Sequence, residues 1–516
     1  MKRVAKILGA DVELGNIFQR ATPGEDANDL PARLLLAEID GIPSNTASIT
    51  DAYASPFAVA HAYSGAAPAR AYGYDAQDWG RKFLQTNGGA AYIDLSHIEM
   101  CTPEVRSARD FVAAHHANLR IARSACEKAN ANLMPGELIV VFANNSDRLG
   151  NSWGAHTNVM VSRELWEQVC TNMFPALFVL VAFQVSSIIF TGQGKCGAEN
   201  GKPWVPYQIS QRGDFFECVA GLQTTYRRPI ANTRDESHAT PDLARMHIIF
   251  YDNTLTHVSN YLKAGVIQLV LAMMEAGWCG TETMLENPLV ALTAWGHDPD
   301  LRATAPLYDG RRVRAVEHQQ MFARAARRFV EAGTVQEFVP EAQTILALWE
   351  DTLAKLERRD FPSLAGRLDW VMKRKLLERM MDRNPDLAWD SPSIRAADLL
   401  FANLDPRRGL YWPIEAAGGT EQIAAEADIR RAMHEPPVDT RAWSRTMLLR
   451  QVGRAGIESV NWDEIRLRLG AVSPARASIR FDDPRQFTRA DMLRAAADEP
   501  ADTRSSTAIT NQPEKG

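Results

Sequence analysis

The chain has 516 residues, 46% hydrophobic and 23% charged, with a formal net charge of −6. This is the composition of a soluble globular protein with room for more than one domain. It carries no global basic field that would favour nucleic acid. Six cysteines (Cys101, Cys126, Cys170, Cys196, Cys218, Cys279) are scattered without C-x-x-C pairing. That excludes a disulfide framework or a structural zinc site and fits a reducing cytoplasm.

The N-terminal run MKRVAKILGADVELG carries acids where a signal peptide needs apolar residues, and it predicts a first strand. Residues 42–79 are irregular and rich in Ala, Ser, Tyr and Pro, the signature of a long functional loop or lid. Strands are predicted over 4–8, 90–93, 138–142, 159–161, 188–190, 215–219 and 246–251. Helices are predicted over 105–130, 163–185 and 258–276, the last spaced by Leu262, Val266, Leu269 and Val270. The apolar stretch 174–190 holds Pro175, Gln184, Ser186 and Ser187. It therefore reads as a buried helix running into a strand, not as a membrane span. Residues 317–383 read as a charged helical scaffold. Pro436-Pro437 marks the approach to a small C-terminal domain, and the chain after Glu499 has the composition of a disordered tail. Strands interleaved irregularly with long helices predict an α+β fold with a largely antiparallel sheet.

Asp11 and Glu13 alternate on the first strand, so both project to one face. Two carboxylates there repel unless a cation lies between them, although a solvated acidic edge reads the same way. Asp94 and Glu99 bracket His97 just after a second strand, where a carboxylate can act as base or nucleophile or simply shape a turn. His156 and Asn158 occupy alternate positions beside the polar loop 144–150. Arg212, Arg227, Arg228 and Arg234, the last with His238 nearby, flank predicted strands. Arginine binds phosphate through a forked pair of hydrogen bonds, though a lone arginine is as often a salt-bridge partner. Gly192–Gly197 spells G-x-G-x-x-G, but loop follows where a dinucleotide fingerprint needs a helix.

Taken together, these runs resemble one family, the Pup ligases and depupylases. The family attaches or removes the prokaryotic ubiquitin-like protein Pup and is similar in fold to glutamine synthetase and other carboxylate-amine ligases. The matching runs are G-A-D-V-E-L-G (9–15), T-N-G-G-A-A-Y-I-D-L-S-H-I-E (86–99), N-N-S-D-R-L-G-N-S-W-G-A-H-T-N (144–158), I-S-Q-R (209–212), R-P-I-A-N-T-R-D-E-S-H-A (228–239), M-H-I-I-F-Y-D (246–252) and P-P-V-D-T-R-A (436–442). The resemblance implies a glutamine synthetase-like catalytic domain over 1–425, with the 42–79 loop inserted and a mainly antiparallel sheet cradle packed by helices. A small domain would follow over 426–499, then a disordered tail over 500–516. ATP and Mg2+ would be the cofactors and a disordered, Pup-like modifier with its conjugates the partner, with no role for nucleic acid or membrane.

Residue by residue, the resemblance makes Asp94 the essential aspartate and Asp11, Glu13, Glu99, His156 and His238 the metal cluster. Arg212, Arg227, Arg228, Arg234, Asn158 and Arg441 would hold nucleotide, phosphate or substrate carboxylate. The chain departs from the family at Asp11 (usually Glu), Leu14 (Tyr), Met100 (Tyr) and Thr157 (Glu). Thr157 is expected to cost the nucleotide cluster a carboxylate that Thr157→Glu would restore. The 94 − 13 = 81 positions between Glu13 and Asp94 and the spacing of D-L-S-H-I-E resemble the depupylase branch. The runs 369–375 and 405–409 look more like the ligase branch. The expected activity is hydrolysis of the modifier's terminal side-chain amide or isopeptide. The alternatives are a ligase and an inactive protein that binds nucleotide and modifier.

Overall fold

The computed structural model describes residues 1–20, 29–44, 80–468 and 477–498. Most of the expected lid, 45–79, and the tail 500–516 lie outside these residues. An eight-stranded sheet organises the chain. Its first strand, β1 (Leu8–Gln19), is the longest and lies near the centre. β2 (Ile42–Pro43), β3 (Lys82–Phe83), β4 (Ala90–Asp94) and β5 (His97–Cys101) build one side, in the spatial order β1-β5-β4-β3-β2. β6 (Leu138–Phe142) pairs with the far half of β1. β7 (Ala155–Ser162) pairs with its near half. Small hairpins and ribbons follow: β8 (Lys195–Cys196), β9 (Tyr207–Gln208), β10 (Cys218–Gly221) and β11 (Pro229–Asn232). β12 (Leu243–Ile248) closes the sheet beside β7. Every pair in the large sheet is antiparallel, as expected from the irregular connections.

Side-chain alternation divides this sheet into two unlike faces. Ala10, Val12 and Leu14 of β1 are buried, and the register sets Thr157, Met100 and Ile98 beside them. Helices α1 (Leu30–Ala37), α2 (Ala108–Ala131) and α5 (His257–Glu275) cover that face. α2 starts at Ser107, whose hydroxyl accepts from Asp110 N–H and satisfies one of the open donors of the first turn. α5 is buried around its whole circumference, which explains its apolar residues on every side.

Two expectations change between residues 163 and 191. The helix expected over 163–185 is two, α3 (Arg163–Cys170) and α4 (Ala176–Thr191), interrupted before Pro175, which cannot continue a helical hydrogen-bond ladder. The strand expected over 188–190 is the last turn of α4. Three consecutive apolar residues, two of them β-branched, show no period and read as well for a strand as for a helix. Among the described residues no helix is long and apolar enough to cross a membrane.

The later helices, including α6 (Ala315–Glu331), α7 (Ala342–Glu357), α8 (Asp369–Arg383) and α9 (Pro392–Phe401), pack into the main core with Trp295, Trp349 and Trp370. α10 (Glu426–His434) lies on α2 and places Ile429 in the same core. After Pro436-Pro437 come α11 (Ala442–Gly456), β13 (Ile457–Val460), β14 (Glu464–Leu467), β15 (Ala477–Arg480) and α12 (Arg489–Asp498). Leu449, Ile457, Ile465 and Phe481 of this unit form a second cluster with Ile42, Phe83, Tyr92 and Cys101 of the large sheet.

Candidate active site

The second face of the sheet is polar. Strand register alone brings its residues together: Asp11 lies between Cys101 and His156, Glu13 opposite Glu99, Glu99 beside Tyr92, and Asp94 opposite His97. Leu95, in a left-handed conformation (φ 52°), and Ser96 form the turn that links β4 to β5. Glu99 therefore returns to the same face as Asp94 although five positions separate them.

Two triads result. Ligand atoms of Asp11, Glu99 and His156 lie within 4.8 Å of one another, as do those of Glu13, Asp94 and Glu99. Glu99 belongs to both. Burial, together with the charge of Asp94, pushes the Glu13 carboxyl up to about 7. Burial and the charges of Asp94, Glu13 and Asp11 raise Glu99 well above the ordinary range. Acids crowded in this way are relieved by a cation, and this oxygen-rich donor set suits Mg2+. Burial and the nearby arginines hold His156 well below its usual pKa, in the neutral form that can ligate. Asn158 donates to Asp11 Oδ2 (2.8 Å), and its Oδ1 lies 2.7 Å from His247 Nδ1. This chain of contacts fixes one oxygen of Asp11.

Two cavities meet over Asp94, His156 and Thr224. The larger, about 870 Å³, is lined by Glu13, Trp153, Arg212, Arg227 and Arg228. Arg212 is buried, donates to the carbonyls of Ile249 and Tyr251, and is lowered to about 9 by burial and Arg228. Arg228 donates to the carbonyls of Thr224 and Ser152. Asn144 Oδ1, Trp153 Nε1 and Arg212 Nε are buried without a hydrogen-bond partner, and all three residues line this chamber. Buried polar atoms left open in this way mark where a ligand or water completes the site. The smaller cavity, about 240 Å³, holds Asp11, Glu99, Arg234, His238, Arg245 and His247. An apolar slot of about 90 Å³ lined by Ile7, Leu8, Arg441 and Trp462 shares Asp11, His238 and Trp462 with it.

Asp11, Glu13, Asp94, Glu99 and His156 thus come together, with Arg212, Arg227 and Arg228 on one side and Arg234 and Asn158 on the other. His238 joins neither triad among the described residues; its ring lies 3.8 Å from Asp463 and its carbonyl accepts from Arg441. Arg441 lines the slot, yet its Nε donates to Glu104 and its Nη1 to Phe481 C=O, so it also fastens the C-terminal unit.

The expectation for Thr157 is corrected. Thr157 is paired with Ala10 and Ile248 and wholly buried on the helix-covered face, so it cannot supply a ligand. Leu14 and Met100 face the same way, which leaves Asp11 as the one departure that lies in the site. Sequence reading missed Arg81, Tyr92, His247 and Trp462. His247 stands in the run M-H-I-I-F-Y-D, but nothing in that run tells which of its residues face the cavity.

Comparison with known proteins gives the family. Residues 6–466 match the family described as Pup-ligase protein, and the chain belongs to that family. A depupylase of Acidothermus cellulolyticus is 38% identical over 398 residues, covering 77% of this chain and 76% of that protein. A Pup–protein ligase of Kineococcus radiotolerans is 34% identical over 417 residues, covering 79% and 88%. The solved structure of the Pup ligase PafA in complex with ADP superposes with a TM-score of 0.70 at 28% identity, covering 81% of this chain and 89% of that one.

Proposed function

We propose that this protein is an ATP- and Mg2+-dependent amide hydrolase acting on a Pup-like modifier. It would cleave the side-chain amide of a C-terminal Gln or the isopeptide bond that joins a terminal Glu to lysine. The observation that carries the reading is Glu99 shared between two triads, one of three acids that includes Asp94 and one of two acids with His156, with arginines on both sides. The larger cavity suits the end of a polypeptide, and Arg212, Arg227 and Arg228 would bind its carboxylate. The smaller cavity and its apolar slot suit a nucleotide, with Arg234, Arg245, Asn158 and Arg441 on the phosphate side and Trp462 against the base.

Asp11, Glu13, Glu99 and His156 would hold Mg2+, which when bound neutralises the acids and polarises a phosphate or carbonyl oxygen. Asp94 accepts a proton from the water that adds to the amide carbonyl, or attacks that carbonyl itself. In the first route collapse of the adduct breaks the C–N bond, and the proton held by Asp94 leaves with ammonia or the lysine amine; in the second the amine leaves with a proton from water, and water then cleaves the Asp94 anhydride to give the free Glu and restore the carboxylate. His97, pushed down to about 4 by burial, stays neutral against Trp153 and does not compete for that proton.

The 81-residue separation of Glu13 and Asp94 and the greater identity to the depupylase than to the ligase favour hydrolysis. The ligase-like run 369–375 supports neither reading. Asp369 accepts from the N–H groups of Leu255 and Thr256, and Lys373 pairs with Asp398 at 3.0 Å, all within the scaffold. The test combines the protein, ATP, Mg2+ and a Pup-like peptide ending in Gly-Gly-Gln, with mass spectrometry to detect conversion to Glu. Conjugation of a Glu-ending peptide to lysine, with one ADP per bond, would make this a ligase. ATP-dependent thermal protection with neither product would make it an inactive binding protein.

A further inference from the structure

Gly15 leaves a bare patch on the polar face of the sheet. One step beyond the Leu14–Ile98 pair, the antiparallel register sets it beside His97, which is the partner of Asp94 on β4. A methyl group on Gly15 would strike both Asn144 Oδ1 and the Trp153 indole, so these two side chains fill the space above it. The indole also lies against the His97 ring, with 4.3 Å between centres. The loop that carries Asn144 and Trp153 is folded back on itself: Trp153 N–H donates to Asn145 C=O at 3.2 Å, and Ser146 pairs with Ser152.

Both side chains are more than nine-tenths buried, and both line the larger cavity together with Asp94. Asn144 Nδ2 donates to Ser146 C=O at 2.7 Å, which leaves Oδ1 as an acceptor without a partner. Trp153 Nε1–H is a donor without one. An unmatched acceptor and an unmatched donor above the same glycine complement one edge of a primary carboxamide, whose C=O accepts and whose N–H on that side donates. A carboxylate offers no N–H to such an edge. A trans isopeptide turns its N–H away from the C=O and sets the lysine carbon there instead.

We propose that Asn144 and Trp153 select a primary side-chain amide, that of a C-terminal Gln, over an isopeptide; the assignment rests on the amide-hydrolase reading above. Trp153 Nε1–H donates to the amide oxygen, and Asn144 Oδ1 accepts the N–H beside it. A pocket built in this way rejects a group that leaves its buried atoms unmatched. After hydrolysis the product carboxylate turns a second acceptor towards Asn144 Oδ1, which favours its release. The bland alternative is a buried water bonded to both atoms, with no part in selection.

Steady-state kinetics of the full chain with ATP and Mg2+ on two substrates, a Gln-ending Pup-like peptide and the same peptide joined to lysine through a terminal Glu, separates these roles. Trp153→Phe keeps a ring against His97 and removes the N–H, and Asn144→Ala removes the acceptor. Each should lower the ratio of kcat/KM, Gln substrate over isopeptide, about 5- to 50-fold, the worth of leaving a buried polar group unmatched. Gly15→Ala removes neither group but displaces both, and it should lower the same ratio. Where one variant fails to fold, the other two decide. Equal losses on both substrates, or an unchanged ratio in any folded variant, overturn the inference and leave the buried water. Wild-type protein that converts neither substrate removes the hydrolase reading itself, whereas normal wild-type turnover with an unchanged ratio in the variants removes only selection by this pair.

Discussion

Asp94 ends β4, and its carboxylate shares a triad with Glu13 and Glu99, so on the proposed reading it would stand beside the cation and the amide held there. Asp94→Asn should lower amide turnover roughly 10²- to 10⁴-fold, the usual worth of a positioned acid–base group. Nucleotide affinity should change less than about threefold. Turnover of a modifier conjugate, paired with nucleotide titration, checks this, and near-normal turnover would take Asp94 out of the reaction. Thr157 gives the opposite lesson about a neighbouring residue. Its side chain is buried on the helix-covered face with Oγ1 unpartnered, so Thr157→Glu would force a carboxylate into an apolar core. An uncompensated buried charge costs about 3 kcal/mol or more. Thermal denaturation should show a lower Tm with no gain in Mg2+ affinity; tighter Mg2+ binding by a stable variant would mean the strand register is wrong.

The element between α4 and β9 shows why a glycine motif need not bind anything. Gly192 closes α4, and a methyl there would strike Ile209 C=O; at Gly194, with φ +77°, it would strike the Tyr207 hydroxyl. The glycines allow the chain to leave the helix through a space already filled by β9 and α8, where Tyr207 donates to Trp370 C=O at 2.8 Å. Gly194→Ala should therefore cost about 2 kcal/mol or more from backbone conformation and crowding combined. ADP affinity of the folded fraction should stay unchanged. Chemical denaturation and an ADP titration on the same preparation check both halves. An ADP-specific loss without destabilisation would return the motif to nucleotide binding.

At the scale of the whole molecule, Glu104 joins the large sheet's end to the C-terminal unit. It accepts from Arg441 Nε at 2.7 Å and from Arg445 Nη2 at 2.6 Å, and both arginines are buried. Burial alone would raise its carboxyl, but Arg445 and Arg441 outweigh that and hold it at about 2, against 4.5 for an ordinary Glu. Because the folded value is the lower one, this contribution is complete above pH ~4.5 and is lost as pH falls from there towards 2. The full amount is about 3 kcal/mol. Glu104→Gln should flatten the acid limb of the stability curve across that window while lowering stability at pH 7, where two buried arginines would face an amide. Denaturant titrations between pH 7 and 3 measure both effects; a variant with the wild-type acid limb would show that other carboxylates control it. Arg441 and Trp462 of the C-terminal unit line the apolar slot, so on the proposed assignment of that slot to a nucleotide the same variant should also weaken nucleotide binding.

Local sequence was enough to determine much of this protein. Alternation at Asp11 and Glu13 put two acids on one strand face, and the long apolar-spaced segments specified α2 and α5, because period and polarity are properties of neighbouring residues. A resemblance carried by several ordered runs also made the family and the α+β class legible. Only the tertiary structure decided which residues meet. Glu99 belongs to two triads because a tight turn folds β5 back beside β4 and β1, and Thr157 is excluded because its strand's register turns it to the core. Arg81 and Trp462 reach the cavity from elements distant in sequence. The helical state of 188–190 was hidden for a different reason: Ile188, Ile189 and Phe190 are too few to show a period and suit a strand as well as a helix. Cross-strand register and packing between distant elements are set by contacts that no single stretch of sequence contains.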